Sequence, residues 1–533
     1  MHFHRLSISR SRLIASAALL SFGLALPAPA SQAAAQIRAA LVQPAVVGEN
    51  TLKLTLTDAK GNPVKAAKLT LTVAMTSMDM GSTHPAVKDS GAGAYRATVV
   101  FSMAGPWRVT VRVETPGQPT LTKSFDFTPQ SGHDHMHMHG EEPNVMQGRL
   151  GPWSMQKEGS GTSWLPESSP MYMKMLPKSG RYELDAMGFI SLDENRSGGL
   201  RSSSRFFSNS MLMLMSRRET GGGALGMNLM LSADPIFNGE FGYPDLFQTG
   251  ETAHGIKLTD FQHPHNLLSE LTASYSHPVG NNLNGFLYGG PVGEPALGGP
   301  TFMHRPSGAE IPEAPITHHW FDSTHIAYGV VTGGINSDRW QLEASVFNGH
   351  EPGENRYAPQ PVELNSASGR LTYNPIPNLS LNASYGFIQS PESTDPGVDQ
   401  HRLTAAALWN QPLSHGNNLA TTFAFGRNII QGKVSDGYLL ESTWRLRSTS
   451  LFGRWENVAK DELGGVPAGS YVVDKFVFGA VQDVAEREGF DLGIGAYVGL
   501  YSYPAALEPF YGKRPVTFGV FLRLRPSRML HGG

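Results

Sequence analysis

The densest run of ligating side chains is His133-Asp134-His135-Met136-His137-Met138-His139-Gly140. Its imidazoles bind Cu(II), Zn(II) or Ni(II), and its thioethers are soft and favour Cu(I). Short His-rich tracts carry metal binding by composition. No cysteine or distant His pair is placed to close a structural zinc tetrahedron around it. The competing expectation is a polar linker with adventitious metal affinity. A second group, Met75, Met78, Met80 and His84, falls beside the turn residue Gly81. Three thioethers and an imidazole suit Cu(I); the bland alternative is flexible core filler, the commonest role of methionine. Met103 is expected in a strand core. The chain has 0 Cys, so disulfides and thiolate sites are excluded and any soft ligand is a thioether.

A third set lies in two long connections of the C-terminal part. His263 and His265 belong to the first; His304, His318, His319, Asp322 and His325 belong to the second. Loops folded into a barrel lumen constrict or plug it, and clustered imidazoles there could pass or gate a divalent ion. The alternative is that these groups hydrogen-bond within ordered loops and hold their shape. Met211, Met213 and Met215 share one strand face, read here as the lipid face, with a luminal methionine ladder as the minority reading. Met171, Met173 and Met175 alternate likewise and are expected to be apolar packing. Ser323 and His325, at strand spacing i,i+2, or His319, are the weak nucleophile and base pair of a barrel hydrolase; no Gly-x-Ser-x-Gly elbow frames the serine.

The elements that must position these residues are strands. At 533 residues a single core is unexpected, and a net charge of -3 argues against nucleic acid as a partner. Residues 1–35 read as a secretory signal, with Arg5, Arg10 and Arg12 before the apolar stretch from Leu13 to Leu26. Alternation at Leu52, Leu54 and Leu56, at Leu69, Leu71 and Val73, at Tyr95, Ala97 and Val99, and at Trp107, Val109 and Val111 predicts an antiparallel sandwich over 36–128. A His/Met-rich linker over 129–150 and a lead-in over 151–179 follow. From 180 to 526 the pattern is apolar outside and small or polar inside. It is clearest at Leu379, Leu381, Ala383, Tyr385 and Phe387 against Ser380, Asn382, Ser384 and Gly386. Only 16% of residues are charged and 59 are Gly. These features predict an outer-membrane antiparallel barrel of roughly 14–16 strands, then a tail over 527–533. The tail continues past the last strand, where many such barrels end in an aromatic residue; Phe521 and Leu524 are the nearest substitutes.

Val73-Ala74-Met75-Thr76-Ser77-Met78-Asp79-Met80-Gly81 and Phe101-Ser102-Met103-Ala104-Gly105-Pro106-Trp107 resemble the YtkA-like and FixH-like periplasmic domains. That resemblance implies an immunoglobulin-like sandwich and a family often linked with copper handling or oxidase assembly. From Gly151 to the last strand the chain resembles an uncharacterised family of proteobacterial outer-membrane barrels often found beside metal-resistance functions; no ligand residue is carried over from it. The expectation is an all-β, non-enzymatic outer-membrane barrel with a periplasmic metal-binding domain, serving copper or heavy-metal homeostasis or transport. The expected cofactor is copper, as Cu(I) or Cu(II). The expected partners are outer-membrane lipid, metal ions and periplasmic metal-resistance components. A general porin or structural protein with incidental His and Met content is the alternative, with the barrel hydrolase third.

Overall fold

Sixteen antiparallel strands close on themselves in the C-terminal part of the computed structural model. It describes residues 36–41, 45, 47–58, 60–64, 67–76, 82–102, 105–115, 119–129, 146–179 and 181–529. The wall runs from Tyr182–Ser197 to Val516–Pro526, and Tyr182–Ser197 pairs with Val516–Pro526 to shut the ring. Two short strands complete the seam. Met173–Ser179 pairs with the first half of Tyr182–Ser197, and Ser203–Phe207 with its second half. The sheet therefore begins at Met173, ahead of the expected residue 180, because Met173–Ser179 turns straight back into the ring.

Period-two alternation assigns the faces. Leu381 and Tyr385 are exposed on the outside while Ser380, Asn382 and Ser384 are buried. The last strand repeats this with Phe518, Val520, Leu522 and Leu524 outward and Phe521, Arg523 and Arg525 inward. A closed ring satisfies every wall N–H and C=O within the sheet, and a continuous apolar outer face is what lipid requires. Among the described residues no helix is long and apolar enough to cross a membrane; the wall strands make the crossing. The chain is thus an outer-membrane-type β-barrel.

Met211, Met213 and Met215 overturn the expected lipid-facing ladder. Met211 is 2% exposed and Leu212 is 49% exposed. The leucines take the lipid side and the methionines line the interior. Phe521 likewise points inward, against Phe452 and Tyr497.

One rim carries short turns, such as Gly221 with Gly222 and Arg447 with Ser448. The other carries the long connections 232–267, 293–329 and 348–365. Two segments fill the lumen. Residues 146–171 enter at the short-turn rim, where Arg217 Nε donates to Gly148 O at 3.1 Å and Asn374 Nδ2 to Leu165 O at 2.9 Å. The connection 293–329 spans the middle. Ser384 Oγ accepts from Gly298 N at 2.8 Å, Arg305 Nε donates to Glu441 at 2.7 Å, and Arg454 Nη1 donates to Glu313 O at 2.9 Å. These anchors come from strands around the ring, so the connection is a plug rather than a surface loop.

The N-terminal unit folds by itself as two four-stranded sheets. Leu52, Leu54, Tyr95 and Val99 from one sheet and Leu71, Val73, Trp107 and Val109 from the other form one buried core. The signal segment 1–35, Met78, Met80, Met103 and the run from His133 to His139 lie outside the described residues.

Candidate functional site

Loop chemistry brings two distant imidazole pairs together. The connection 232–267 folds a two-stranded hairpin, Tyr243–Ala253 with Ile256–Gln262, that stays off the barrel sheet. His263-Pro264-His265 leaves its last strand; proline holds the residue before it extended and removes a donor. The plug supplies the short helix His318–Phe321 and the 3-10 turn Ser323–His325. His263, His265, His318 and His325 are buried.

His318 is the hub. Its ring centroid lies 5.2 Å from that of His325, 5.4 Å from His319 and 6.0 Å from His263. His265 and His325 are 5.2 Å apart, and His263 and His319 are 5.8 Å apart. Two imidazoles on one tetrahedral ion, with metal–nitrogen bonds of about 2.0–2.1 Å, place their centroids roughly 5 Å apart. The rings pack edge to face, however. Among the described residues, no three His, Asp or Glu side chains are already arranged to hold an ion.

Each ring is held from behind. His318 Nδ1 lies 2.7 Å from Asp322 Oδ1, His265 Nδ1 lies 2.8 Å from Asp234 Oδ2, and His325 Nδ1 lies 2.7 Å from the Asp322 carbonyl oxygen. Glu351 sits 3.2 Å from His319 Nδ1, and Glu251 sits 3.1 Å from His263 Nδ1. The Nε2 atoms of all five are buried without a hydrogen-bond partner. Carboxylates behind one ring nitrogen and a free lone pair at the other are the arrangement of metal-ligating histidines.

Burial pushes the His263 and His325 rings far below the ordinary imidazole range, His318 down, and His319 to about 4. They are neutral at neutral pH, the form that ligates. Burial alone would raise the Asp322 carboxyl; the His318 ring and then Arg305 outweigh it and hold Asp322 well below the usual carboxylate range. Its other oxygen accepts from Phe302 N at 3.0 Å and from Arg305 at 3.1 Å.

His304 does not join this cluster; it lines a separate cavity with Met303. Ser323 lies in a 3-10 turn, not on a strand, and its hydroxyl accepts from Arg402 Nη1 at 3.0 Å, so the strand geometry expected of a Ser323 and His325 pair is absent. In the N-terminal unit, Met75 packs against the sandwich core and His84 Nδ1 donates to Leu71 O at 3.2 Å. The residues that sequence reasoning missed are the supporting acids Asp234, Glu251 and Glu351. One signal pointed at them: Gly250, at φ 109°, has no room for a Cβ, which would fall 2.2 Å from the His319 ring.

Several solved outer-membrane proteins align with the barrel. An anion-selective porin from Comamonas acidovorans does so at TM-score 0.40 and 11% identity, over 64% of this chain and 99% of that one. OmpF of Salmonella typhi gives 0.41 and 9%, over 66% and 100%. OprB of Pseudomonas putida gives 0.41 and 9%, over 65% and 94%. No curated protein matches the chain. Residues 31–112 match the YtkA-like family, a stretch confined to the N-terminal unit.

Proposed function

We propose that the chain is an outer-membrane barrel protein that binds a transition-metal ion, copper above all, through the imidazoles of its plugged lumen, in metal homeostasis or transport. One observation carries this reading: five clustered rings whose Nδ1 atoms face carboxylates or a carbonyl and whose buried Nε2 atoms have no partner. Hydrogen-bonding within ordered loops accounts for the Nδ1 side alone. An unpaired buried acceptor costs free energy, and a cation would offset it.

Outer-membrane barrels place short turns in the periplasm and long loops outside. On that convention the residue 146–171 segment enters from the periplasm, and the YtkA-like domain with the His133–His139 run lies on that side. Together they would hold metal ahead of the lumen and meet periplasmic metal-resistance components. No catalytic or redox step is required, and none is proposed.

A general porin or structural barrel with incidental His and Met content is the competing reading. It is favoured by the absence, among the described residues, of three donors already gathered on one point. Titration of the full-length chain in detergent separates the two, with His133, His135, His137 and His139 replaced by Asn to silence the linker. Tight Cu(II) binding with several nitrogens in the electron paramagnetic resonance spectrum, lost in His318→Ala, is the expected result. No binding tighter than that of a generic histidine tract leaves the porin reading standing.

A further inference from the structure

A second cavity lies inside the barrel, built from a different chemistry. It has a volume of about 120 Å³. The wall contributes Met187, Met211, Met213 and Met215, with Met187 and Met213 directly opposite each other on adjacent strands. The lumen-filling segment 146–171 and the strand after it contribute Met155, Met171 and Met173, and the plug contributes Met303 with His304. Eight of the chain's 20 methionines thus surround one space.

Three features separate this wall from ordinary methionine packing. Barrel interiors are polar, yet an inward strand face here carries methionine at three successive inward positions. Methionine adapts its three torsions to fill gaps, yet here the gap remains. The adjacent outward positions are Leu212 and Leu214, so apolar character alone does not distinguish the faces; sulfur does.

The rim adds charge selection. Arg445, Arg523 and Arg525 line the space and are paired to Asp483 and Glu310. A cationic rim around uncharged ligands disfavours a divalent ion more than a monovalent one. Thioethers prefer soft ions, and among biological metals that means Cu(I).

We propose that this cavity is a thioether site for a soft monovalent metal ion, Cu(I) or its chemical analogue Ag(I), with His304 as the one imidazole beside it. The site uses none of the five clustered histidines, so either site can fail without the other. The lumen would then offer imidazoles among its long connections and thioethers toward the short-turn rim.

The test is Ag(I) titration of the full-length chain in detergent against a competing chelator, with X-ray absorption at the silver edge. The background carries His133, His135, His137 and His139 replaced by Asn, and Met75, Met78, Met80, Met136 and Met138 replaced by Leu. Sulfur neighbours around bound silver are expected. Met211→Leu/Met213→Leu/Met215→Leu keeps apolar volume and is expected to weaken Ag(I) by roughly tenfold or more, while the Cu(II) spectrum of the histidine cluster stays unchanged. If the triple variant fails to give the heat-modifiable folded band, Met213→Leu alone is read the same way. Unchanged Ag(I) affinity in a folded leucine variant overturns the proposal and leaves a cavity for an apolar ligand. Purely nitrogen or oxygen neighbours, or no binding, overturn it as well.

Discussion

Asp322 grips His318 through a 2.7 Å contact from Oδ1 to Nδ1, one helical turn away, and grips His325 through its own carbonyl oxygen at 2.7 Å. One residue therefore orients two of the five rings. Asp322→Asn keeps the shape but removes the charge that fixes the His318 tautomer. Loss of such a supporting carboxylate typically lowers metal affinity by roughly 10–100-fold. Cu(II) competition titrations of the linker-silenced chain check this; equal affinity in the folded variant would place the ion elsewhere.

Gly250 is expected to be intolerant for a reason that can be separated from backbone strain. Its φ is 109°, and a Cβ would meet the His319 ring at 2.2 Å. Gly255, at φ 73°, has nothing within 4 Å of its Cβ position. Both alanine variants strain the backbone, but only Gly250→Ala displaces the ring. The prediction is a changed Cu(II) spectrum in Gly250→Ala and a parental spectrum in Gly255→Ala. Matching spectra in the two would remove His319 from the site.

The docking of the plug should weaken at alkaline pH through Glu294. Burial pushes its carboxyl up to about 8, against the pull of Arg370 and hydroxyls that include Ser160 and Thr301. The folded value lies above the model value of 4.5, so the protonated form is the better bound one. The stabilisation is fully present below about pH 4.5 and is lost as pH rises through about 8. Unfolding midpoints, read from heat-modifiable migration, should fall between pH 6 and pH 9 more in the parent than in Glu294→Gln. An identical slope in the two would assign the dependence to other groups.

How much was legible in the sequence differed by element. Ser380, Asn382 and Ser384 announce the inward face because polarity alternates with Leu379, Leu381 and Ala383. From Met211 to Met215 every residue is apolar, so periodicity says which residues share a face but not which face meets lipid. The imidazoles were visible as types, and His318 with Asp322 even sits at helical spacing. Their convergence was not legible, since it depends on the hairpin Tyr243–Gln262 leaving the barrel sheet, and tertiary packing decides that. Ser323 and His325 misled for the related reason that i,i+2 spacing means one face only on a strand, and this stretch is a 3-10 turn.

The plug itself is open to a direct test, because its neck is already a closed bridge. Gly293 N donates to Ala327 O at 3.0 Å and Ala327 N to Gly293 O at 2.9 Å. Residues 294–326 therefore leave and re-enter the wall at one point, and a short turn could replace them without altering the register of the flanking strands. The lumen would lose Arg305 and Glu313, which are tied to wall residues Glu441 and Lys475 at 2.7 and 3.1 Å. Those wall charges would then face water rather than remain buried and unpaired, so the ring itself should still fold. Single-channel conductance in planar bilayers should rise to that of an open porin-like pore, and the Cu(II) signal of the histidine cluster should vanish with His318, His319 and His325. Equal conductance before and after the replacement would mean that the segment 146–171 alone closes the lumen.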